Sequence, residues 1–363
     1  AMRASYDTAY RHVEEYSREP WFVPFADGDG SEGYVLDLFR VSGGDRHEYT
    51  LQGDANHEAR FVTDMPLSEY GPYLLPPGTE VREPADNVDK GYAGGHYPGY
   101  IYVKEVQQAH IIDDRYELTL ETDLEDGSSG AKMKITGLLD PGDHELYLGR
   151  SPSLRSVRLH GRSMDNNDEV VKYTMPKLVL RKDGSDLTSQ FITVLEPYQG
   201  DVPRIEALDR LELTDGPEGA AAVKVIYGET TDILLSNPHH PDQPIVVDDI
   251  VFYGEMGLIR LHNGDVQEMM MAGGTLLRKG SHEITGSAAV RGTVLETRRI
   301  ANGDPYDAFV TDEAVPLDVA GLHMIVTHPD QSTTGYKISQ VLHEGGKHVI
   351  VLDGQDPGLE PYC

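Results

Sequence analysis

The sequence predicts an all-β protein with a large antiparallel β-sandwich, or super-sandwich, followed by a smaller β-sandwich. Short segments with alternating apolar and polar residues recur along the chain, and this alternation indicates half-buried strands. Turn signals separate them roughly every 8–12 residues, a spacing typical of sandwiches. The 363 residues include 38 glycines and 22 prolines, and no convincing helical stripe exceeds about three turns. These observations together favour strands over helices.

The chain opens with two elements whose patterns are clear. Residues Pro20–Pro24 predict an edge strand, because each proline lacks the amide donor that a central strand needs. The stretch Gly33–Gly53 follows as an apolar run, the turn signal Ser42–Asp45 and an alternating segment that contains His47 and Tyr49. Because glycine adopts positive φ angles without steric cost, we interpret this stretch as a β-hairpin.

The middle of the chain begins with a long connection and continues as a series of strands. Residues 54–98 are rich in proline and glycine but contain several tyrosines, which favours an ordered, packed loop. Alternating segments then predict strands at Tyr100–Val106, Tyr116–Glu121, Lys132–Gly137, Glu145–Leu148, Leu154–His160, Leu178–Leu180, Phe191–Glu196, Ala222–Tyr227 and Asp232–Leu235. Ile205–Leu213 is the one place here that is compatible with a short helix.

A domain boundary is predicted near the segment Ser236–Asp242, which has two prolines and no large apolar residue. We therefore predict a large β-sandwich domain over residues 1–244 and a smaller β-sheet domain over residues 245–363. Within the second part, Asn263-Gly264 predicts a tight hairpin, because both central positions of a type I′ turn need positive φ.

Composition excludes several functions. The formal net charge is −30, so binding of nucleic acid through a basic field is not expected. The only cysteine is Cys363, which leaves no internal disulfide and no zinc–thiolate set. No apolar run reaches about 18 residues, so we expect no membrane span. The residues at the start carry no targeting information.

Two stretches of the chain resemble one known family. Gly33–Gly53, GYVLDLFRVSGGDRHEYTLQG, resembles the segment YVVD-hydrophobic-FRV-x-GG-x-x-HDY-x-LHG of heparinase II/III-like polysaccharide lyases. Lys177–Gly200, KLVLRKDGSDLTSQFITVLEPYQG, is similar to that family's P-x-LVL-R-x-G-x-DL-x-S-x-F-x-x-V-x-EPY-x-G stretch. Order and approximate spacing also match. The chain therefore resembles the C-terminal β-sheet half of these lyases, from Tyr16 to about Gly200.

This resemblance implies cleavage of a uronate-containing, acidic polysaccharide by β-elimination, with the sheets forming one wall of the substrate cleft. In the family an N-terminal (α/α) toroid carries the main tyrosine and histidine catalysts, so a helical toroid domain or chain is an implied partner. A secreted or periplasmic location in a bacterium is implied as well. The family's structural zinc is held by ligand motifs that would precede residue 1. We therefore assign no metal ligand and expect no cofactor in this chain.

The first candidate site residues are His47 and Tyr49, which lie two positions apart and share a strand face. β-Elimination needs a base that removes the proton α to the carboxylate and an acid that protonates the leaving oxygen, and both residue types suit these roles. The alternative is that both side chains pack inside the sheet. Gln52 stands where the family pattern has histidine, so no acid, base or ligand role is assigned there.

The second candidate is a basic stretch that begins at Arg150. It contains four residues that would bind substrate carboxylates or sulfates, namely Arg155, Arg158, His160 and Arg162. The alternative is a solvated strand face paired with nearby acidic residues. No HExxH or compact zinc pattern is present, and neither are nucleophile-elbow, P-loop or dinucleotide motifs. A non-catalytic carbohydrate-binding or structural β-sandwich module is the alternative function.

Overall fold

The computed structural model describes residues 1–6, 10–79, 99–111, 114–124, 130–153, 173–287, 289–329 and 332–358. These residues form antiparallel strands in five sheets, and the helices described among them are 3₁₀ turns of three residues each. The all-β class predicted from the sequence is therefore confirmed. None of the helices in this described part has the length or apolar character needed to cross a bilayer.

The first two sheets are built from the N-terminal strands, each of which belongs to one sheet or the other. These strands are β1 (Ala4–Ser5), β2 (Glu15–Pro24), β3 (Gly33–Ser42), β4 (Arg46–Gln52), β5 (Ala59–Val62), β6 (Leu67–Tyr73), β7 (Lys104–Ala109), β8 (Arg115–Thr122), β9 (Lys132–Leu138), β10 (Glu145–Pro152), β11 (Thr174–Asp183) and β12 (Thr188–Tyr198). Sheet A has the order β1-β2-β3-β12-β9-β8-β5, and sheet B has the order β4-β11-β10-β7-β6. Consecutive strands therefore often belong to different sheets.

Two further sheets follow. Their strands are β13 (Ala207–Arg210), β14 (Ala221–Tyr227), β15 (Thr230–Ser236), β16 (Ile245–Val247), β17 (Ile250–Tyr253), β18 (Met256–His262), β19 (Asp265–Ala272), β20 (Leu276–Lys279) and β21 (His282–Thr285). Sheet C has the order β13-β14-β15-β18-β19, and sheet D has the order β16-β17-β20-β21. The Asn263-Gly264 hairpin is confirmed between β18 and β19, with φ angles of 50° and 87°.

The remaining strands form sheet E, in the order β22-β23-β26-β25-β24. They are β22 (Glu296–Arg298), β23 (Ala308–Thr311), β24 (His323–Thr327), β25 (Thr333–Glu344) and β26 (Lys347–Leu352). By its contacts the chain divides into a first unit, residues 1–272 with 276–284, and a second unit, residues 273–275 with 285–363. The boundary predicted between residues 244 and 245 lies within the first unit.

The first unit is a stack of four sheets in the order B, A, C, D. One apolar cluster joins sheets A and B, a second joins A and C, and a third joins C and D. Alternation along each strand produces this stacking: on β15, Leu234 faces sheet A while Ile233 and Leu235 face sheet D. Sheets A and C are therefore covered on both faces, which explains why β3 reads as an almost continuous apolar run.

The predicted hairpin at Gly33–Gly53 is wrong in its pairing, although both of its strands are present. β3 belongs to sheet A and β4 to sheet B, so the turn crosses from one layer to the next. Gly43 and Gly44 make this crossing with φ angles of 88° and 90°. Apolar side chains of β3 and β4 then face each other across the sandwich in one cluster, which burial favours over edge-to-edge pairing.

The second family-like stretch makes the same kind of crossing. β11 lies in sheet B and β12 in sheet A, so the β11–β12 turn runs between the same two sheets as the β3–β4 turn. β12 pairs with β3 in sheet A, while β11 pairs with β4 in sheet B. The two stretches quoted above are therefore hydrogen-bonded neighbours in both layers. The possible helix at Ile205–Leu213 is wrong, because Ala207–Arg210 forms β13 and pairs with β14.

Candidate functional site

The outer face of sheet B, which points away from sheet A, carries polar and aromatic side chains of the two paired stretches. The register places Glu48 of β4 opposite Arg181 of β11, and Val179 of β11 opposite Tyr147 of β10. A short apolar cluster covers part of this face, and Tyr100 from the neighbouring 3₁₀ turn packs against it. We call Glu48, Tyr100, Tyr147 and Arg181 the Arg181 cluster.

Arg181 lies at the centre of this cluster. Its Nε donates a hydrogen bond of 2.7 Å to Glu48 Oε1, and its side chain is only 5% exposed. The guanidinium carbon lies 5.5 Å from the ring centroid of Tyr100 and 5.0 Å from that of Tyr147, so two aromatic faces stabilise its charge. Its Nη2 is buried and has no hydrogen-bond partner among the residues that the structure describes. Such a donor normally costs about 1–3 kcal/mol.

The two tyrosines of the cluster are held by carboxylates. Tyr100 donates a hydrogen bond of 2.6 Å to Glu48 Oε2, and Tyr147 donates one of 2.7 Å to Glu145 Oε2. Burial, followed by the bond to Glu48, raises the pKa of Tyr100 to about 12. Burial and the bond to Glu145 likewise raise the pKa of Tyr147. Both hydroxyls therefore stay protonated at neutral pH and donate to these carboxylates. Tyr147 is 2% exposed, so the half-buried Tyr100 is the ring of this pair that lies nearer to solvent.

Lys177 is a cation on the same face of β11. It is half-buried, pairs in register with Gln52 and Gly149, and its burial lowers its pKa. Its ammonium group forms no hydrogen bond or ion pair with any described residue. By contrast, Arg46 on this face pairs with Asp183 at 2.6 Å. The charge of Glu48 acts on Lys177 without direct contact, so Lys177 offers an ammonium group with free donors to an anion at the outer face of sheet B.

His47 and Tyr49 share a face of β4, as predicted, but this face points into the sandwich, and they are 3% and 2% exposed. His47 Nε2 lies 2.8 Å from Gly43 O, to which it donates, and Nδ1 lies 2.9 Å from Ser189 Oγ, so both ring nitrogens have partners inside the sandwich. Their catalytic role stays a prediction, which requires substrate to reach buried groups.

The hydroxyl of Tyr49 is also engaged. It donates a hydrogen bond of 2.9 Å to Asp37 Oδ2, and Asp37 also accepts two bonds from the guanidinium of Arg18. Burial, followed by the charge of Asp37, raises the pKa of Tyr49 well above its ordinary value. Tyr49 is therefore a poor base in this setting, because its anion would lie beside a carboxylate in the interior.

The predicted basic cluster lies largely outside the described residues. This applies to Arg155, Arg158, His160 and Arg162. Arg150, at the start of that stretch, is described and contributes to the structure. It donates hydrogen bonds of 2.8 Å to Thr174 Oγ1 and 3.0 Å to Thr174 O, which tie β10 to β11.

The zinc ion that the resemblance implies would be held by ligand motifs outside this chain. Across the described ranges, no group of three or more histidine, cysteine, aspartate or glutamate side chains is arranged to hold a metal ion. These residues therefore do not fit the implied zinc site.

Sequence reasoning missed the Arg181 cluster, although one signal was available. Arg181 follows the apolar run Leu178–Leu180 inside the second family-like stretch, so a charged residue was visible at the end of a buried strand. Its aromatic partners come from β10 and from the turn at residue 100, at distances in sequence that alternation alone does not connect.

Compared with models of known families and with curated proteins, the chain matches none.

Proposed function

We propose that this chain is the β-sheet portion of a polysaccharide lyase that cleaves a uronate-containing, anionic polysaccharide by β-elimination. The outer face of sheet B would form one wall of the substrate cleft. One observation carries this proposal: the two family-like stretches are paired strands, and their shared outer face holds the Arg181 cluster and Lys177, which has no ion pair with a described residue. In a chain of net charge −30, an aromatic face that also presents an ammonium group with free donors suits an acidic sugar chain.

The chemistry assigns different tasks to the two walls of the cleft. Elimination creates negative charge on the uronate carboxylate, so a cation such as Lys177 stabilises bound substrate and developing charge by the same contact. The ring of Tyr100 offers a flat surface for a sugar, and Arg181 holds this ring and Glu48 in place from beneath. Proton transfer would then come from a helical toroid domain or chain, the partner proposed here. A secreted or periplasmic enzyme would meet such polymers.

A non-catalytic carbohydrate-binding module is the second candidate function. The burial of His47 and Tyr49 favours it, because their polar atoms are already bonded inside the sandwich. On this alternative the outer face of sheet B binds the glycan, and no product with a new double bond is formed. Both candidates predict binding at Lys177, and only the first predicts turnover.

The test measures binding and turnover separately. The chain is titrated with alginate, heparan sulfate, hyaluronan and ulvan by calorimetry, and elimination is followed by the ultraviolet absorbance of the unsaturated uronate, with and without a toroid polypeptide. We expect one acidic polymer to bind, with Lys177→Gln weakening affinity about ten-fold, or about 1.4 kcal/mol. Higher salt should also weaken binding, because exposed charge contacts are screened.

Lys224→Gln is the matched control, since Lys224 pairs with Asp209 on sheet C and should not contribute. Product formation would support the lyase, whereas binding without product would support the module. If no acidic polymer binds, or if both lysine variants weaken binding equally, sheet B is not the glycan-binding surface and both candidates are wrong.

A further inference from the structure

A cavity of about 650 Å³ opens at the margin of sheets A and C within the first unit. Its walls are largely apolar: Leu138, Leu139, Leu211, Leu213 and the alanines at 220–222. The leucines belong to the margins of three different core clusters, so the cavity lies where these clusters meet. Its volume falls within the range of about 300–1,000 Å³ that is typical of small-molecule sites.

Arg210 is the polar group that distinguishes this cavity. It lines the cavity at the end of β13, and its Nη2 donates a hydrogen bond of 2.8 Å to Gln190 Oε1. No carboxylate lies within ion-pair distance of it in the part of the chain that the structure describes. Arg210 is an exposed residue by its overall accessibility, and partial burial of its guanidinium lowers its pKa. An arginine in this setting remains charged and lacks a counter-ion.

Three acidic residues line the cavity, and two of them, Asp114 and Asp140, have cationic partners. Asp140 accepts a hydrogen bond of 2.8 Å from Lys182 Nζ and lies 2.8 Å from His144 Nε2, with only 11% of its side chain exposed. Asp114 lies 3.4 Å from Arg115. Glu212, the third, is exposed, and it forms no ion pair with Arg210 or with any other described residue. The charge of Asp140 acts on Arg210 without direct contact, so the guanidinium keeps free donors at the cavity wall.

The guanidinium is also held in a fixed orientation. Gln190 is 8% exposed, and its Nε2 donates a hydrogen bond of 2.9 Å to Gly219 O. This bond turns the side-chain oxygen of Gln190 towards Arg210. The carbonyl of Gly219 also accepts a bond of 2.8 Å from Arg40 Nε, so the same point anchors both side chains. Only one donor of Arg210 is used by this support, which leaves the others for a ligand.

We propose that this cavity binds a small organic carboxylate with a short apolar body. The carboxylate pairs with the free donors of Arg210 in the two-point geometry that guanidinium groups favour. The apolar body lies against Leu211 and Leu213 and removes them from water, a contribution of roughly 0.8 kcal/mol for each buried CH₂ group. This site lies apart from the outer face of sheet B and does not depend on the proposed function.

Octanoate is the probe, and octanol and octylamine are comparison ligands of the same chain length but different charge. Calorimetric titration of the full chain should show octanoate bound at least ten-fold more tightly than either. Arg210→Gln should weaken octanoate binding at least ten-fold, and the affinity of Arg210→Lys should lie between those of the parent chain and of Arg210→Gln. Arg278→Gln is the control, because Arg278 is a half-exposed arginine on sheet D and far from the cavity lining.

The fold of each variant is checked by the fluorescence of the single tryptophan, Trp21, which is 4% exposed. Should Arg210→Gln not fold, Leu213→Ser replaces it and should weaken octanoate several-fold while leaving its preference over octylamine. Equal affinity for octanoate and octanol would overturn the proposal, and so would a folded Arg210→Gln variant that binds octanoate as the parent chain does.

Discussion

Replacing Asp232 by asparagine should destabilise the first unit strongly, because this carboxylate is the centre of a buried network between sheets A and C. Asp232 is 0% exposed and accepts two hydrogen bonds from Arg260, of 2.7 and 2.8 Å. It also accepts bonds of 2.9 Å from Tyr34 and 3.2 Å from Tyr227. Asparagine has the same shape but presents an NH₂ group to neighbours that are themselves donors.

The expected loss in the free energy of unfolding depends on the contacts that Arg260 keeps after the substitution. Removing one partner of a buried ion pair usually costs about 3–5 kcal/mol, because the other charge is left without compensation. Here Arg260 keeps a hydrogen bond of 2.8 Å to Pro24 O and a contact of 3.6 Å with Glu268. Its charge is therefore only partly uncompensated, and we expect the free energy of unfolding to fall by about 3 kcal/mol.

Urea titration followed by fluorescence measures this change directly. Trp21 is the only tryptophan, and it lies in the same apolar cluster as Tyr34 and Tyr227, so its emission reports on this interface. Asp209→Asn is the matched control, because Asp209 is 41% exposed and its pair with Lys224 is worth at most about 1 kcal/mol. If Asp232→Asn costs no more than this control, the buried network does not hold the two sheets together.

Three further changes have defined outcomes. Tyr49→Phe should lower the free energy of unfolding by about 1–2 kcal/mol, because one bond to a carboxylate is lost, and glycan binding should not change; a folded variant without binding would contradict this. The pKa values of Tyr100 and Tyr227 are raised to about 12, above the ordinary value of about 10, so the folded state favours their neutral forms. The two tyrosines therefore contribute fully to the free energy of unfolding below about pH 10, and this contribution is lost as the pH rises to about 12. Melting temperatures measured across this range will check the loss, and a melting temperature that does not change with pH would refute it. Gly137→Ala should cost about 1–3 kcal/mol in urea titration, since the new Cβ would lie 2.0 Å from a tyrosine ring carbon, whereas Gly99→Ala has no atom within 4 Å and should be neutral.

The sequence predicted strands well because alternation and turn residues are local signals. The positions of β4, β14 and β15 follow directly from them. Pairing is different, because the turn after β3 is compatible with a hairpin and with a crossing between sheets. Here β3 pairs with β12 and β4 pairs with β11, and both of these partner strands lie more than 120 residues away in sequence. Local patterns cannot contain that information.

The candidate site was harder to predict for a related reason. His47 and Tyr49 were identified by residue type and shared face, yet a shared face is equally a property of core residues. Which face of β4 is covered depends on sheet A, whose strands lie on both sides of β4 in sequence. The surroundings of Arg181 could not be predicted either, since the rings of Tyr100 and Tyr147 that pack against it come from other elements.

The four-sheet stack supplies a physical criterion that residue type does not. Sheets A and C are covered on both faces, so a charge buried between the layers must be neutralised inside the protein, as Glu19 neutralises Arg40 at 2.8 Å. Charged residues there are part of the fold and are poor guides to function. A cation without a partner is stable only where an outer face or a cavity gives it access to water or a ligand. Lys177 and Arg210 meet that condition, and in a chain of net charge −30 each marks a place where an anion would be favoured.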